Sequence, residues 1–301
     1  MQRYPAKLLL FGEHVLLLGA PALSVPVETF GGHWEWHSPD TPMRELDLKL
    51  LEFARSPVLR GVDVIDTEAL ENDLGLGLYF DSNIPTGYGL GSSGALVAAV
   101  YDRYAKSKSD DPQVLKQIFA RMEAYFHGHS SGIDPLTSYL GKAVKVREIQ
   151  EVETVQQQDW APHGPVVFLL DSALPRHSGP MIQWFQTQAQ KPDFFNLLKN
   201  RYLPDLEETI GHWLEGELDP FLSKAAEISA FQFEHFSPLI PESVREIWAR
   251  ALARHKNVHF KLCGAGGGGF VLGFAATKEE VRFLADHHPL IFPFEKNRPH
   301  E

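Results

Sequence analysis

Residues 85–95 read Pro-Thr-Gly-Tyr-Gly-Leu-Gly-Ser-Ser-Gly-Ala, and no other segment restricts the fold as much. They join a strand-like stretch, residues 76–82, to a helix-like one in which Leu96, Val97, Val100, Tyr101 and Tyr104 recur at helical spacing. Glycines let backbone approach a ligand and turn successive N–H groups inward. Ser92 is placed to cap the helix that follows. A helix start with unpaired N–H groups and a positive dipole end favours an anion, and phosphate is the natural guest. An ordinary glycine-rich turn is the plainer alternative.

Gly89, Gly91 and Gly94 also satisfy G-x-G-x-x-G. That dinucleotide fingerprint wants a tight turn straight off a strand, whereas this loop is long and opens on Pro85. The Walker pattern G-x-x-x-x-G-K-[ST] is absent. A dinucleotide-dependent oxidoreductase therefore stays open as a reading from a different class.

A second glycine run, residues 261–269, lies between two apolar strands, 258–262 and 270–274. Four successive glycines weaken any strand, so close approach to a ligand or another loop explains them better than a simple hairpin. Elsewhere, residues 4–30 read as two strands around Gly12-Glu13-His14. Residues 31–75 are irregular except for a helix over 45–55. A helix runs from an Asp111 cap through Pro112 to Gly128. Residues 141–156 and 166–170 read as strands, 180–255 as two or three helices, and the chain closes on a helix from Lys278 and a strand near Ile291.

On the Asp111 helix, Glu123 falls beside the apolar stripe, either as a boundary residue or as an inward metal ligand. Asp134, before Pro135, suits a turn cap or a base that accepts a hydroxyl proton. Lys7 lies within an apolar strand and needs an anionic partner if it faces inward. His127, His129, His287 and His288 lack zinc-pair spacing and read as non-ligands.

A formal net charge of -11 argues against nucleic-acid binding. The apolar N-terminal stretch is split by Glu13 and His14, which argues against a signal peptide. No apolar run reaches spanning length, so a soluble chain with no membrane partner is expected. One cysteine, Cys263, fits a reducing, cytoplasmic setting.

Together these segments resemble the GHMP kinases. The first motif is residues 5–14 continuing to 19–23, worded most like the mevalonate kinase branch. The second is residues 85–95, the third 261–269, and residues 127–134 are similar to the stretch ending in that branch's catalytic aspartate. The resemblance implies an α+β, two-domain architecture: a ribosomal-S5-like N-terminal domain, residues 1–158, and a ferredoxin-like C-terminal one, residues 159–301. It implies ATP- and Mg²⁺-dependent phosphorylation of a small hydroxylated acid, mevalonate first, in isoprenoid biosynthesis; a phosphomevalonate or sugar kinase is the alternative. A homodimer is compatible with it.

By the same resemblance, Asp134 takes the substrate hydroxyl proton and Lys7 pairs with it. Gly87, Gly89, Leu90, Gly91, Ser92, Ser93, Gly94 and Ala95 cradle the phosphates. Ser93 and Glu123 hold Mg²⁺. Glu13, His14, Gly264, Ala265, Gly266 and Gly267 contact substrate. Two departures stand out: Cys263 replaces a usual threonine or serine, and Gly94 replaces a usual alanine, a change expected to be tolerated.

Overall fold

The computed structural model describes residues 2–38, 41–147, 151–156, 160, 164–175, 178–285 and 288–295. In the first half, β1 (Tyr4–Phe11) turns through a short 3-10 segment, Val15–Leu18, into β2 (Ala22–Trp36). Then follow α1 (Glu45–Arg55), α2 (Pro57–Arg60), α3 (Thr67–Gly75), β3 (Leu78–Ser82), α4 (Ser92–Tyr104), α5 (Pro112–His127), α6 (Ile133–Leu140), β4 (Ala143–Val146) and β5 (Val152–Val155).

All pairings in this sheet are antiparallel, and β2 is its spine. β1 runs along one edge of β2. The other edge is shared by β4 at Ala22–Ser24 and β3 at Gly32–Trp36. α4 and α6 pack across β1 and β2, and α5 packs on both helices. The parallel β-α-β unit that a dinucleotide fingerprint requires is therefore not what holds Gly89, Gly91 and Gly94, and the oxidoreductase alternative falls with it.

The second half holds β6 (Val166–Asp171), α7 (Ser178–Ala189), α8 (Pro192–Leu197), α9 (Leu203–Glu215), α10 (Leu218–His235), α11 (Glu242–Arg254), β7 (Val258–Leu262), β8 (Phe270–Ala275), α12 (Lys278–Ala285) and β9 (Leu290–Ile291). Its sheet is antiparallel in the order β7-β8-β6-β9. β7 and β8 are buried along their whole length, with α10 and α11 on β7 and α12 on β8. The expected boundary at 158/159 lies outside the described residues.

Local chemistry explains most boundaries. Asp111 caps α5 by accepting from the Gln113 N–H at 2.8 Å, Pro112 occupies its first turn, and Gly128 ends it at φ 72°. Residues 31–75 carry more order than expected. β2 continues to Trp36, and α2 and α3 follow α1, with Ser56 and Asp66 as their caps. Between 178 and 254 there are five helices rather than two or three. Pro192 starts one, Gly216 at φ 77° ends another, and the Phe236–Pro241 stretch separates the last two. Trp34 is core, whereas Trp36 is 46% exposed.

One buried group makes the C-terminal sheet sensitive to acid. His259 on β7 is buried, and burial pushes its imidazole down to about 4 from 6.5, against a weaker opposing pull from Glu280. A depressed histidine stays neutral in the fold but takes a proton once unfolded. Its contribution is therefore complete above pH 6.5 and is lost as pH falls towards 4, up to about 3 kcal/mol. Urea unfolding at pH 7 and pH 4.5 is expected to show that slope in the native protein and a flatter one in His259→Leu. Equal slopes would contradict it.

Candidate active site

Lys7 sits in the middle of β1, and its backbone N–H donates to the Leu90 carbonyl at 3.0 Å. That bond ties the first motif to the 85–95 loop. The lysine stem then crosses Gly91: a Cβ there would stand 2.7 Å from Lys7 Cγ, and Gly91 has φ 73°. Only glycine accepts both the backbone angle and the passing side chain. The stem delivers the ammonium to Asp134 Oδ2 at 2.9 Å, with the lysine side chain 7% and the aspartate 32% exposed.

Asp134 lies in the first turn of α6, not in a free-standing turn as expected, because Gly132 at φ 75° opens the helix one residue before Ile133. Gly94 on α4 meets this turn. A Cβ at Gly94 would lie 2.9 Å from the Asp134 carbonyl carbon and from Pro135 N. The glycine is therefore required by the α4–α6 contact rather than merely tolerated. Gly94→Ala is expected to cost about 1–3 kcal/mol and to displace Asp134, read as a lower unfolding midpoint together with lower turnover. Native stability in that variant would contradict the contact.

α4 begins at Ser92, with Gly91 in the cap position and no side-chain cap. Ser92 is thus a first-turn residue, not the cap expected from sequence. Without a side-chain cap, the first-turn N–H groups are left for a ligand, and the helix dipole points its positive end the same way. They face a cleft of about 480 Å³. Gly87, Gly89, Gly91, Ser92 and Ser93 form one wall of it, and Lys7 and Asp134 lie on its lining. His127, Gly179 and Pro180 complete the lining. Leu90 and Ala95 are fully buried beneath.

Glu123 is buried beside this cleft. Ser93 donates to its Oε1 at 2.9 Å, and Ser130 donates to Oε2. Burial, then the Asp134 charge, push its carboxyl up to about 7; the two serine hydroxyls and Lys7 pull the other way. The oxygen donors here are the Ser93 hydroxyl and the Glu123 carboxylate, with Asp134 close enough to raise the pKa of the latter. That chemistry suits a hard cation such as Mg²⁺. A carboxylate held in a dry site at the cost of a raised pKa also suits a site that awaits positive charge.

The residues expected to touch substrate are not among the described residues that line this cleft. Glu13 is 1% exposed and pairs with Lys261 Nζ at 2.8 Å, so it does not line the cleft. His14 donates to the Ala265 carbonyl at 3.1 Å and stacks on Phe185. The 264–269 loop is held from behind. Gly267 donates to the Leu239 carbonyl at 2.7 Å and Gly269 to that of Leu174 at 2.8 Å. Gly264, Ala265, Gly266, Gly267 and Gly269 are not among the described residues that line the cleft, but a Cβ at Gly269 would meet Tyr88 Cα at 3.2 Å, so the third motif abuts the second. Cys263 is buried at the end of β7.

Sequence reading missed five contributors. His127 Nε2 lies 3.0 Å from Ser93 Oγ, one helical turn after Glu123, a spacing that puts both on one face. Ser130 follows from the same local stretch. Lys261 carried a signal too, as a lysine in a short strand whose other residues are three apolar ones and His259. Gly179 and Pro180 carried none.

The sequence model described as GHMP kinases N terminal domain matches residues 58–142, and the GHMP kinases C terminal model matches 214–289, together just over half the chain. The mevalonate kinase of Pyrococcus abyssi is 32% identical over 163 residues, 46% of this chain and 48% of that protein. That of Archaeoglobus fulgidus is 31% identical over 153 residues, 50% of this chain and 53% of that one. The chain thus spans about half the length of the curated relatives it matches. Among solved structures, L. major mevalonate kinase in complex with R-mevalonate has a TM-score of 0.69 at 14% identity, covering 98% of this chain and 97% of that one.

Proposed function

The chain belongs to the GHMP kinases, with both of that family's domains present, and from that premise we propose that it transfers the γ-phosphoryl group of ATP to the hydroxyl of mevalonate. The observation that carries this reading is the Lys7–Asp134 pair, 2.9 Å apart on the lining of the same cleft that the uncapped start of α4 faces.

Phosphoryl transfer needs positioning and charge neutralisation more than covalent help. The first-turn N–H groups of α4, with Gly87, Gly89 and Gly91 leaving room for close approach, bind the phosphates. Ser93 and Glu123 would hold Mg²⁺, which supplies charge neutralisation on the phosphate oxygens. Asp134 accepts the substrate hydroxyl proton. Lys7 holds that carboxylate in place and offsets the charge growing on the attacking oxygen, an effect of roughly 3 kcal/mol for a well-placed donor.

We read the protein as cytoplasmic. Among the described residues no helix is long and apolar enough to cross a membrane, and the one cysteine is buried. Nothing in the mechanism requires a second copy. A coupled ADP-release assay across mevalonate, phosphomevalonate and galactose tests the assignment. Saturable release with mevalonate alone is the expected result. Turnover of phosphomevalonate or galactose in its place would move the protein to another branch of the same family.

A further inference from the structure

Behind the cleft, the two domains are joined by an ion pair almost free of water. Lys261 Nζ donates to Glu13 Oε2 at 2.8 Å and to the Leu262 carbonyl at 2.7 Å, and each charged side chain is 1% exposed. The other Glu13 oxygen accepts from Gln232 Nε2. Gln232 closes the set by donating also to Tyr202 Oη at 2.8 Å and accepting from the Leu262 N–H at 2.8 Å. Burial, then Glu13, raise the Tyr202 hydroxyl well above its ordinary pKa, so it stays protonated.

Stability alone does not explain such a pair. Desolvating two charges costs so much that well-packed apolar replacements are often as stable or more so. Placement does explain it. Glu13 lies in the turn between Gly12, at φ 97°, and His14, at φ 62°. Lys261 lies on β7, which runs straight into the 264–269 loop. His14 reaches the same loop at the Ala265 carbonyl. The far end of that loop rests on Tyr88 in the cleft-lining segment. One buried pair thus connects a turn of the N-terminal domain to a loop of the C-terminal domain, and through it to the cleft wall.

We propose that Glu13 and Lys261 are positioning residues that set the register of the 264–269 loop against the 85–91 loop, neither contacting substrate nor serving as a net stabilising bridge. Its activity readout rests on the kinase reading, and its structural readout does not. The test is the double variant Glu13→Leu with Lys261→Met, followed by hydrogen exchange at the Gly267 and Gly269 amides and by steady-state kinetics. The double variant is expected to keep the native unfolding midpoint. It is also expected to lose about tenfold in protection at those two amides, whose bonds report the loop's seat. Turnover should fall at least about tenfold with KM for ATP little changed, as for misplaced rather than missing groups.

Native protection and native kcat in the double variant would overturn the proposal. Should the double variant not fold, Lys261→Arg, which keeps the charge and changes the reach, carries the same exchange measurement: lowered protection supports the proposal and unchanged protection overturns it. A native protein without kinase activity would defeat the kinase reading alone, since the exchange result is read without substrate.

Discussion

Asp134→Asn is expected to lower turnover at least about a hundredfold, the scale set by losing a general base. The substitution is close to isosteric, and the side chain it alters is about one-third exposed, so little packing is lost. Asparagine still offers a carbonyl oxygen to the Lys7 ammonium. It cannot take up a proton from a hydroxyl near neutral pH. The loss therefore reports proton acceptance, not a collapsed cleft, and KM for ATP should move little because the α4 N–H groups are untouched. Single-turnover kinetics with an unfolding curve as control checks this. Native turnover in the variant would remove Asp134 from the chemistry.

Glu123→Gln is expected to act in opposite directions on stability and on activity. The carboxyl is raised to about 7 from 4.5 by burial and by Asp134. A group whose pKa rises on folding favours the fold fully below its unfolded value, and that benefit is lost as pH climbs through the folded value. The native protein therefore carries the cost of a buried anion above pH 7 and not at pH 4.5. Glutamine does not titrate, so the variant's advantage should be absent near pH 4.5 and grow towards pH 8. With EDTA present at pH 8, each kcal/mol relieved raises the unfolding midpoint by about 3 °C. Affinity for Mn²⁺ as a Mg²⁺ substitute should fall about 10- to 100-fold, as for loss of a metal-site partner. A variant that melts at the native temperature at pH 8 and binds Mn²⁺ normally would contradict the assignment.

The site was legible where the chemistry is local. Residues 85–95 announce an anion loop by their glycines and serines, and the structure lines a cleft with five of them. The Asp111 cap and Gly128 end of α5 were readable, and with them a phase that sets Glu123 beside the apolar stripe; that it is buried rather than a boundary residue is settled by the packing around it. Glu13 shows what was not. Its neighbours Gly12 and His14 suggest a ligand turn, but its partner Lys261 lies 248 residues along the chain. Whether such a carboxylate meets substrate or a buried ammonium depends on how the two domains pack, and no spacing encodes that. Gly94 misled for the same reason: its need for glycine comes from the backbone of α6, a helix hidden in sequence because Asp134-Pro135 resembles a turn. The extra helices between 178 and 254 were missed because Pro192, Gly216 and Pro241 divide apolar stretches that otherwise read as continuous.

The central claim is that the Lys7–Asp134 pair activates a small-molecule hydroxyl towards ATP bound at the start of α4. Incubating the purified protein with Mg²⁺, mevalonate and ATP carrying an isotopic label in its γ-phosphate, then reading the products by mass spectrometry, tests it most directly. The account predicts a labelled phosphomonoester of mevalonate formed in step with ADP. Label appearing only as inorganic phosphate, or staying in ATP whether mevalonate, phosphomevalonate or galactose is supplied, would contradict it.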